Sequence, residues 1–106
     1  MKIMTICDQG NNRSVTFAHL LKYKYPGSDV IAIGLGRCSV ETQKMLFDWA
    51  DYLIVTDKEL YDNMEPGWEE KKRLWDVGKD VYPRPFNKYL YQLAKDFIEN
   101  NPLEEK

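Results

Sequence analysis

The sequence predicts a small doubly wound α/β domain, a four-stranded parallel sheet flanked by helices. Three observations lead there. Short apolar runs at Ile3–Ile6, Val30–Ile33 and Tyr52–Val55 are bounded by polar or glycine-bearing segments, as buried strands are. Between them lie stretches with apolar residues at helical spacing, so strand and helix alternate, and crossovers of that kind join parallel strands. A chain of 106 residues can bury one core but hardly two, which makes residues 1–106 a single domain.

The first strand runs from Lys2 to Ile6 and ends near Cys7, at a polar segment containing glycine. From Ser14 onward, Phe17, Leu20 and Leu21 take helical spacing until Pro26-Gly27 stops the helix. Val30 to Ile33 is the second strand, with Gly34, Gly36 and Cys38 in the loop behind it. Ser39 offers an N-cap with Glu41 in the first turn, and Met45, Leu46, Trp49 and Ala50 mark the buried face of a second helix. Tyr52–Val55 is the third strand, followed by a short helix that Thr56 or Asp57 caps and Pro66-Gly67 ends. A weaker fourth strand spans about Arg73 to Val77. Past Pro83 and Pro85, Leu90, Leu93, Ala94, Phe97 and Ile98 draw an apolar stripe for the last helix, and residues 101–106 form a tail expected to fray.

Composition narrows the function. A formal charge of -2 supplies no basic field for gripping a nucleic-acid backbone, so nucleic acid is not an expected partner. No apolar run is long enough to cross a bilayer, and the first residues lack the pattern of an export signal. The expected location is the reducing cytoplasm, where a cysteine in a polar loop reads as a nucleophile before it reads as half of a disulfide. One histidine and two distant cysteines make no metal site, and no cofactor is implied.

In a doubly wound sheet, ligands bind beyond the carboxyl ends of the strands, where loops meet helix N-termini. The first such loop reads Cys7-Asp8-Gln9-Gly10-Asn11-Asn12-Arg13-Ser14. Backbone N–H groups of a tight loop turn inward and cradle an anion, and the helix dipole adds partial positive charge at the same place. Gly10 eases the turn, having no side chain to oppose a left-handed conformation. Arg13 offers a planar fork that grips two phosphate oxygens at once. A sulfur beneath these donors is stabilised as thiolate and becomes a competent nucleophile, with Ser14 placed to donate a hydrogen bond to it. Asp8 works against this unless its carboxylate points to solvent.

A cysteine, five residues and then Arg-Ser, placed directly after an N-terminal strand, resembles the signature loop of the low-molecular-weight protein-tyrosine phosphatases. Three later segments are similar to that family as well: Ala32-Ile33-Gly34-Leu35, Trp49-Ala50-Asp51-Tyr52-Leu53-Ile54-Val55, and the stretch from Asp76 to Tyr82. The resemblance covers nearly the whole chain. It implies a four-stranded parallel, flavodoxin-like sheet and hydrolysis of a phosphorylated substrate, a phosphotyrosine protein or small aryl phosphate, through a phosphocysteine on Cys7. It further implies an aspartate as general acid, carried over to Asp80, with Asp76 as the competing residue that could instead brace the loop. Two positions depart from the family pattern: Gly10 stands where asparagine is usual, and Asp80-Val81 replaces Asp-Pro. The run Asn11-Asn12-Arg13-Ser14 is also similar to the loop of the eukaryotic serine phosphatase that acts on the RNA polymerase C-terminal domain.

Several residues carry two readings. Tyr82, with Trp75 and Phe86, either walls an aryl-phosphate pocket or packs a proline-rich loop against the sheet. Cys38 reads as a structural thiol, with a disulfide to Cys7 under oxidation left open. His19 reads as a helix-surface residue, and Trp68 to Lys72 as a solvated turn. Three other functions compete with hydrolysis. Arsenate reduction would need further cysteines, a phosphocysteine carrier has no use for Arg13 or Asp80, and a plain phosphate-binding module would bind without turnover.

Overall fold

The computed structural model describes residues 1–9, 12–79 and 81–105. Along the chain run strand β1 (Lys2–Cys7), helix α1 (Arg13–Lys24), strand β2 (Asp29–Gly34), a 3₁₀ turn (Leu35–Arg37), helix α2 (Val40–Trp49), strand β3 (Tyr52–Val55), helix α3 (Lys58–Asn63), strand β4 (Lys72–Leu74) and helix α4 (Lys88–Asn100). The strands lie in the order β2-β1-β3-β4 and every neighbouring pair is parallel. Cys7 stands opposite Gly34 in β2, and Ile6 opposite Val55 in β3. The chain leaves β1 toward one side and later returns to β3 on the other. The carboxyl ends of β1 and β3 therefore flank the point where ligands settle in such sheets.

Strand alternation sorts the core into two layers. Ile3, Tyr52 and Ile54 turn toward one face and pack with Phe17 and Leu21 of α1 and Leu90, Ala94 and Ile98 of α4. Met4, Ile6, Leu53 and Val55 turn the other way, onto Phe47 and Ala50. Trp75 anchors the first layer, stacked on Phe97 at 6.3 Å and 12°. Burying a side chain of the size of Phe17 is worth about 1.5–3 kcal/mol, so each layer stabilises the strand whose residues it covers.

Helix starts follow the residues that cap them. Ser39 Oγ accepts from the Thr42 N–H at 3.2 Å, as its type and position predict, and Asp57 rather than Thr56 caps α3, with Oδ1 accepting from Leu60 N at 2.9 Å. Leu46, Trp49 and Ala50 of α2 pack on the second apolar layer as expected, but Met45 does not. Met45 is 66% exposed, and Phe47, at 4%, fills the core beside Trp68 instead. Two residues along a helix is a rotation of about 200°, so a face that includes Phe47 excludes Met45.

β4 is shorter than expected, ending at Leu74. The chain nonetheless stays beside β3, as Trp75 N donates to Val55 O and Val77 N to Thr56 O, both at 2.9 Å. The tail expected to fray is instead docked at Leu103 and Glu104. Leu103 packs against the first apolar layer and its N–H donates to the Tyr25 hydroxyl at 2.9 Å, while the Tyr52 hydroxyl donates to Glu104 O at 2.9 Å. Two tyrosine hydroxyls at the edge of the core need partners, and the tail backbone provides them. Among the described residues no helix is long and apolar enough to cross a membrane.

Candidate active site

The period of β1 aims the sulfur. Thr5 and Cys7 share the face of Ile3, so both side chains turn toward α1. Thr5 Oγ1 donates to Ser14 O at 2.6 Å, and Cys7 Sγ lies 3.1 Å from Ser14 Oγ. Cys7 is 2% exposed and Ser14 fully buried. These two bonds clamp the end of β1 to the first turn of α1 with the thiol and the hydroxyl in hydrogen-bond reach.

Arg13 opens α1 and folds back over the sheet edge. Its Nη1 donates to Asp57 Oδ2 at 2.7 Å and to Gly78 O at 2.8 Å, and its side chain is 3% exposed. Its Nε is buried and has no hydrogen-bond partner among the described residues. An orphaned buried donor costs about 1–3 kcal/mol, more where the group is charged. Asp57 divides its carboxylate, Oδ1 on the α3 cap and Oδ2 on Arg13. The sequence reading reached Asp57 only as a cap. The signal it held was position, since an acidic residue just past β3 emerges at the same sheet end as Cys7.

Asp8 and Gln9 form the outer rim and both are exposed. Asp8 O accepts from Gly36 N at 2.9 Å, Asp8 Oδ2 accepts from Gln9 Nε2 at 2.9 Å, and Gln9 Oε1 accepts from Arg37 Nε at 3.0 Å. A Cβ at Gly36 would lie 3.1 Å from Asp8 Oδ1, so the absence of a side chain there leaves room for the aspartate. Its carboxylate is thus engaged at the surface. Gly10 and Asn11, and with them the middle of the expected anion cradle, lie outside the described residues, as does Asp80.

The segment on either side of residue 80 is tied to this loop at two points. Asn12, which precedes α1 without a side-chain cap bond, sends Nδ2 to Tyr82 O at 2.6 Å. Gly78 reaches Arg13 through its carbonyl, and its N–H donates to Asp76 Oδ1 at 2.8 Å. Gly78 has φ +78°, a left-handed turn that glycine takes without steric cost. Asp76 is therefore the brace of the turn that presents a carbonyl to Arg13.

Tyr82 is 7% exposed; its ring belongs to the first apolar layer and its hydroxyl donates to Val77 O at 2.8 Å. Trp75 is equally internal, and Phe86 turns away to meet His19 edge-on at 5.0 Å. Cys38 packs into the α2-side layer, whereas the Cys7 sulfur meets Ser14 on the α1 side. Among the described residues no three His, Cys, Asp or Glu side chains cluster as a metal site would require.

Between the loop ends lies a crevice of about 330 Å³. Its described lining includes Asp8, Arg13, Asp57, Glu59 and Lys79, with Leu60 as the apolar member. A buried thiol, a hydroxyl bonded to it, and a guanidinium with an unused donor thus meet at one sheet end. That set can bind an anion and offer it a nucleophile.

No family model matches the sequence. No curated protein matches it either. Solved structures do match in fold. The YwlE arginine phosphatase from Geobacillus stearothermophilus superposes with a TM-score of 0.67 at 19% identity, over 93% of this chain and 91% of that one. The tyrosine phosphatase Wzb from Escherichia coli K30, in complex with phosphate, gives 0.69 at 17% identity, over 94% and 97%. The tyrosine phosphatase AmsI of Erwinia amylovora gives 0.62 at 16% identity, over 96% and 93%. Nearly end to end, the chain has the fold of these phosphatases.

Proposed function

We propose that the protein is a metal-independent phosphomonoester hydrolase of the low-molecular-weight protein-tyrosine-phosphatase kind, acting through a phosphocysteine on Cys7. The observation that carries the proposal is the joint between β1 and α1, where the Cys7 sulfur sits 3.1 Å from the Ser14 hydroxyl beside a buried arginine with an unpartnered Nε. The fold it shares with two tyrosine phosphatases and an arginine phosphatase supports phosphoryl chemistry and leaves the substrate open.

In the proposed reaction the phosphate oxygens accept hydrogen bonds from backbone N–H groups of residues 8–13 and from the Arg13 fork, which satisfies the orphaned Nε. The Cys7 thiolate attacks phosphorus in line with the departing oxygen, and the guanidinium stabilises the charge spread over the equatorial oxygens. Asp80 protonates the leaving oxygen, then takes a proton from the water that cleaves the phosphocysteine. Ser14 donates to the sulfur as it departs. What supports Asp80 is its place in the sequence, two residues from Gly78 and two from Tyr82, whose carbonyls are bonded to Arg13 and Asn12. Asp76 already serves as the brace of Gly78. A nucleophilic Cys7 requires a reduced thiol, which goes with a reducing cytoplasm as the location.

The test is hydrolysis of p-nitrophenyl phosphate in the presence of a chelator. Turnover by the wild type, and a stoichiometric phosphoenzyme that is absent in Cys7→Ser, are expected. Full activity in Cys7→Ser, or none in chelator, would overturn the proposal. Phosphate binding without turnover would point to a binding module.

A further inference from the structure

A groove of about 550 Å³ opens between α1 and α4, away from Cys7. Leu20 and the buried Ile98 give it an apolar base, and Tyr23 and Tyr91 add exposed rings. Lys24 and Lys95 line it against one carboxylate, Glu99.

One face of α1 connects this groove with the Cys7 site. Asn12, Thr16, Leu20 and Tyr23 follow one another at helical spacing and so form one stripe along the helix. The first half of the stripe is already covered. Asn12 Nδ2 donates to Tyr82 O at 2.6 Å, and Oγ1 of the fully buried Thr16 accepts from Phe86 N at 3.0 Å. The cover stops at Phe86, whose ring meets His19 edge-on at 5.0 Å; one turn further on, Tyr23 is 78% exposed. Residues 82–86 thus occupy the half of the stripe nearest Cys7, and the groove is its open continuation. Along the helix axis His19 lies about 7 Å from Ser14 and Tyr23 about 14 Å. An extended chain covers that span in about two to four residues.

The chemistry of the groove selects what could lie in it. Exposed rings beside an apolar base favour an aromatic side chain. Among the described residues neither Lys24 nor Lys95 forms an ion pair, and together they outnumber Glu99 on a chain whose net charge is -2. Carboxylates on either side of the aromatic residue complement them. A second copy of this chain does so poorly, since a two-fold contact sets the same lysines against each other.

We propose that the groove docks an aromatic residue flanked by carboxylates, carried by the substrate polypeptide a few residues from its phosphorylated side chain. The inference rests on the phosphatase reading above and makes the substrate a protein rather than a small phosphate ester. A contact this far from the reacting bond strengthens ground state and transition state alike, so it lowers KM and leaves kcat unchanged.

The experiment compares two phosphotyrosine peptides, one with Glu-Phe-Glu placed a few residues to either side of the phosphotyrosine and one with Gly-Ser-Gly in those places. The enzymes are the wild type, Tyr91→Ala, the double variant Lys24→Glu with Lys95→Glu, and Lys44→Glu, a charge control on α2 across the sheet. In the wild type KM is expected to be about tenfold lower for the Glu-Phe-Glu peptide at equal kcat, the scale of one ring and two exposed ion pairs. Tyr91→Ala and the double variant are expected to abolish the difference and Lys44→Glu to keep it, with turnover of p-nitrophenyl phosphate unchanged in all three. Equal KM values in the wild type overturn the docking proposal, as does a difference that survives in the groove variants or is lost equally in Lys44→Glu. Cys7-dependent turnover of the nitrophenyl ester then leaves the phosphatase reading standing. If that ester is not turned over, the phosphatase reading falls, and fluorescence anisotropy with the unphosphorylated Glu-Phe-Glu peptide reads the groove by itself. Saturable binding that the double variant loses supports docking, and absence of binding overturns it. A dimer in sedimentation that Tyr91→Ala dissolves assigns the groove to a second copy, and binding of free phenylacetate as tight as that of the peptide assigns it to a small aromatic acid; either overturns the proposal.

Discussion

The two sides of the crevice are built differently. On one side Cys7, Arg13 and Ser14, each almost fully buried, sit at the end of a strand and in the first turn of a helix, and Thr5 and Cys7 are bonded to Ser14. On the other, the described residues among 76–86 contain no regular element and are held by scattered bonds, with positive φ at Gly78 (+78°) and Phe86 (+60°). A left-handed phenylalanine is strained, and here its N–H is fixed by Thr16 Oγ1 at 3.0 Å, the same hydroxyl that donates to Asn12 O at 2.9 Å. The proposed nucleophile is thus held by periodic structure, and the described residues around the proposed acid borrow their order from α1. In the proposed reaction, attack at phosphorus belongs to the stiff side and proton transfer to the adjustable one.

Substitutions can separate the two sides. The largest effect belongs to the stiff one: Cys7→Ser is expected to reduce hydrolysis of every ester to background while the circular dichroism spectrum and melting curve remain native. Next, Arg13→Lys replaces a fork by a point charge and is expected to cost about 100- to 1000-fold in kcat, the scale of one lost transition-state donor. It also disturbs the Asp57 and Gly78 bonds, so its melting temperature should fall; wild-type turnover in this variant would remove Arg13 from the mechanism. On the adjustable side, Asp80→Asn is expected to slow phenyl phosphate by about 100-fold or more and a nitrophenyl ester less, because a poor leaving group depends most on protonation. Asp76→Asn keeps the oxygen that accepts from Gly78 N and should show no such dependence on the leaving group. If the two variants exchange behaviour, the acid is Asp76. The smallest change is Gly78→Ala, expected to cost about 1–2 kcal/mol of stability through its left-handed φ, measured by denaturant unfolding, and only a few-fold in rate.

The sequence revealed the stiff side more readily than the adjustable one. The short apolar run from Ile3 to Ile6 and the polar, glycine-bearing segment after it told that the strand is buried and where it ends. The Cys7-to-Ser14 spacing then marked the site. Asp57 was visible only as a cap because a sequence shows a residue's local duty, whereas its second oxygen serves Arg13, 44 positions away. On α2, Leu46, Trp49 and Ala50 were legible and only Met45 was misplaced; Phe47, equally apolar, takes the inward position and meets Trp68, which is distant in sequence. The docking of the tail was hidden for a similar reason. Its partners, Tyr25 and Tyr52, are distant in sequence, and the bonds run to backbone atoms that every residue has. For Tyr82 two uses were left open, and its ring lies with the core.

The alternation of β1 also makes the chemistry sensitive to reading frame in the structural sense. Inserting or deleting one residue between Lys2 and Cys7 would leave the composition of the strand nearly unchanged, yet it would invert the pleat for everything beyond the lesion. The thiol would then point into the layer of Phe47 and Ala50, and an apolar neighbour would face Ser14 in its place. A two-residue change restores the parity and shifts the sulfur along the strand axis by about 6.6 Å, too far to share a hydrogen bond with that hydroxyl. Natural variation in the length of this segment should therefore be far rarer than variation in its side chains.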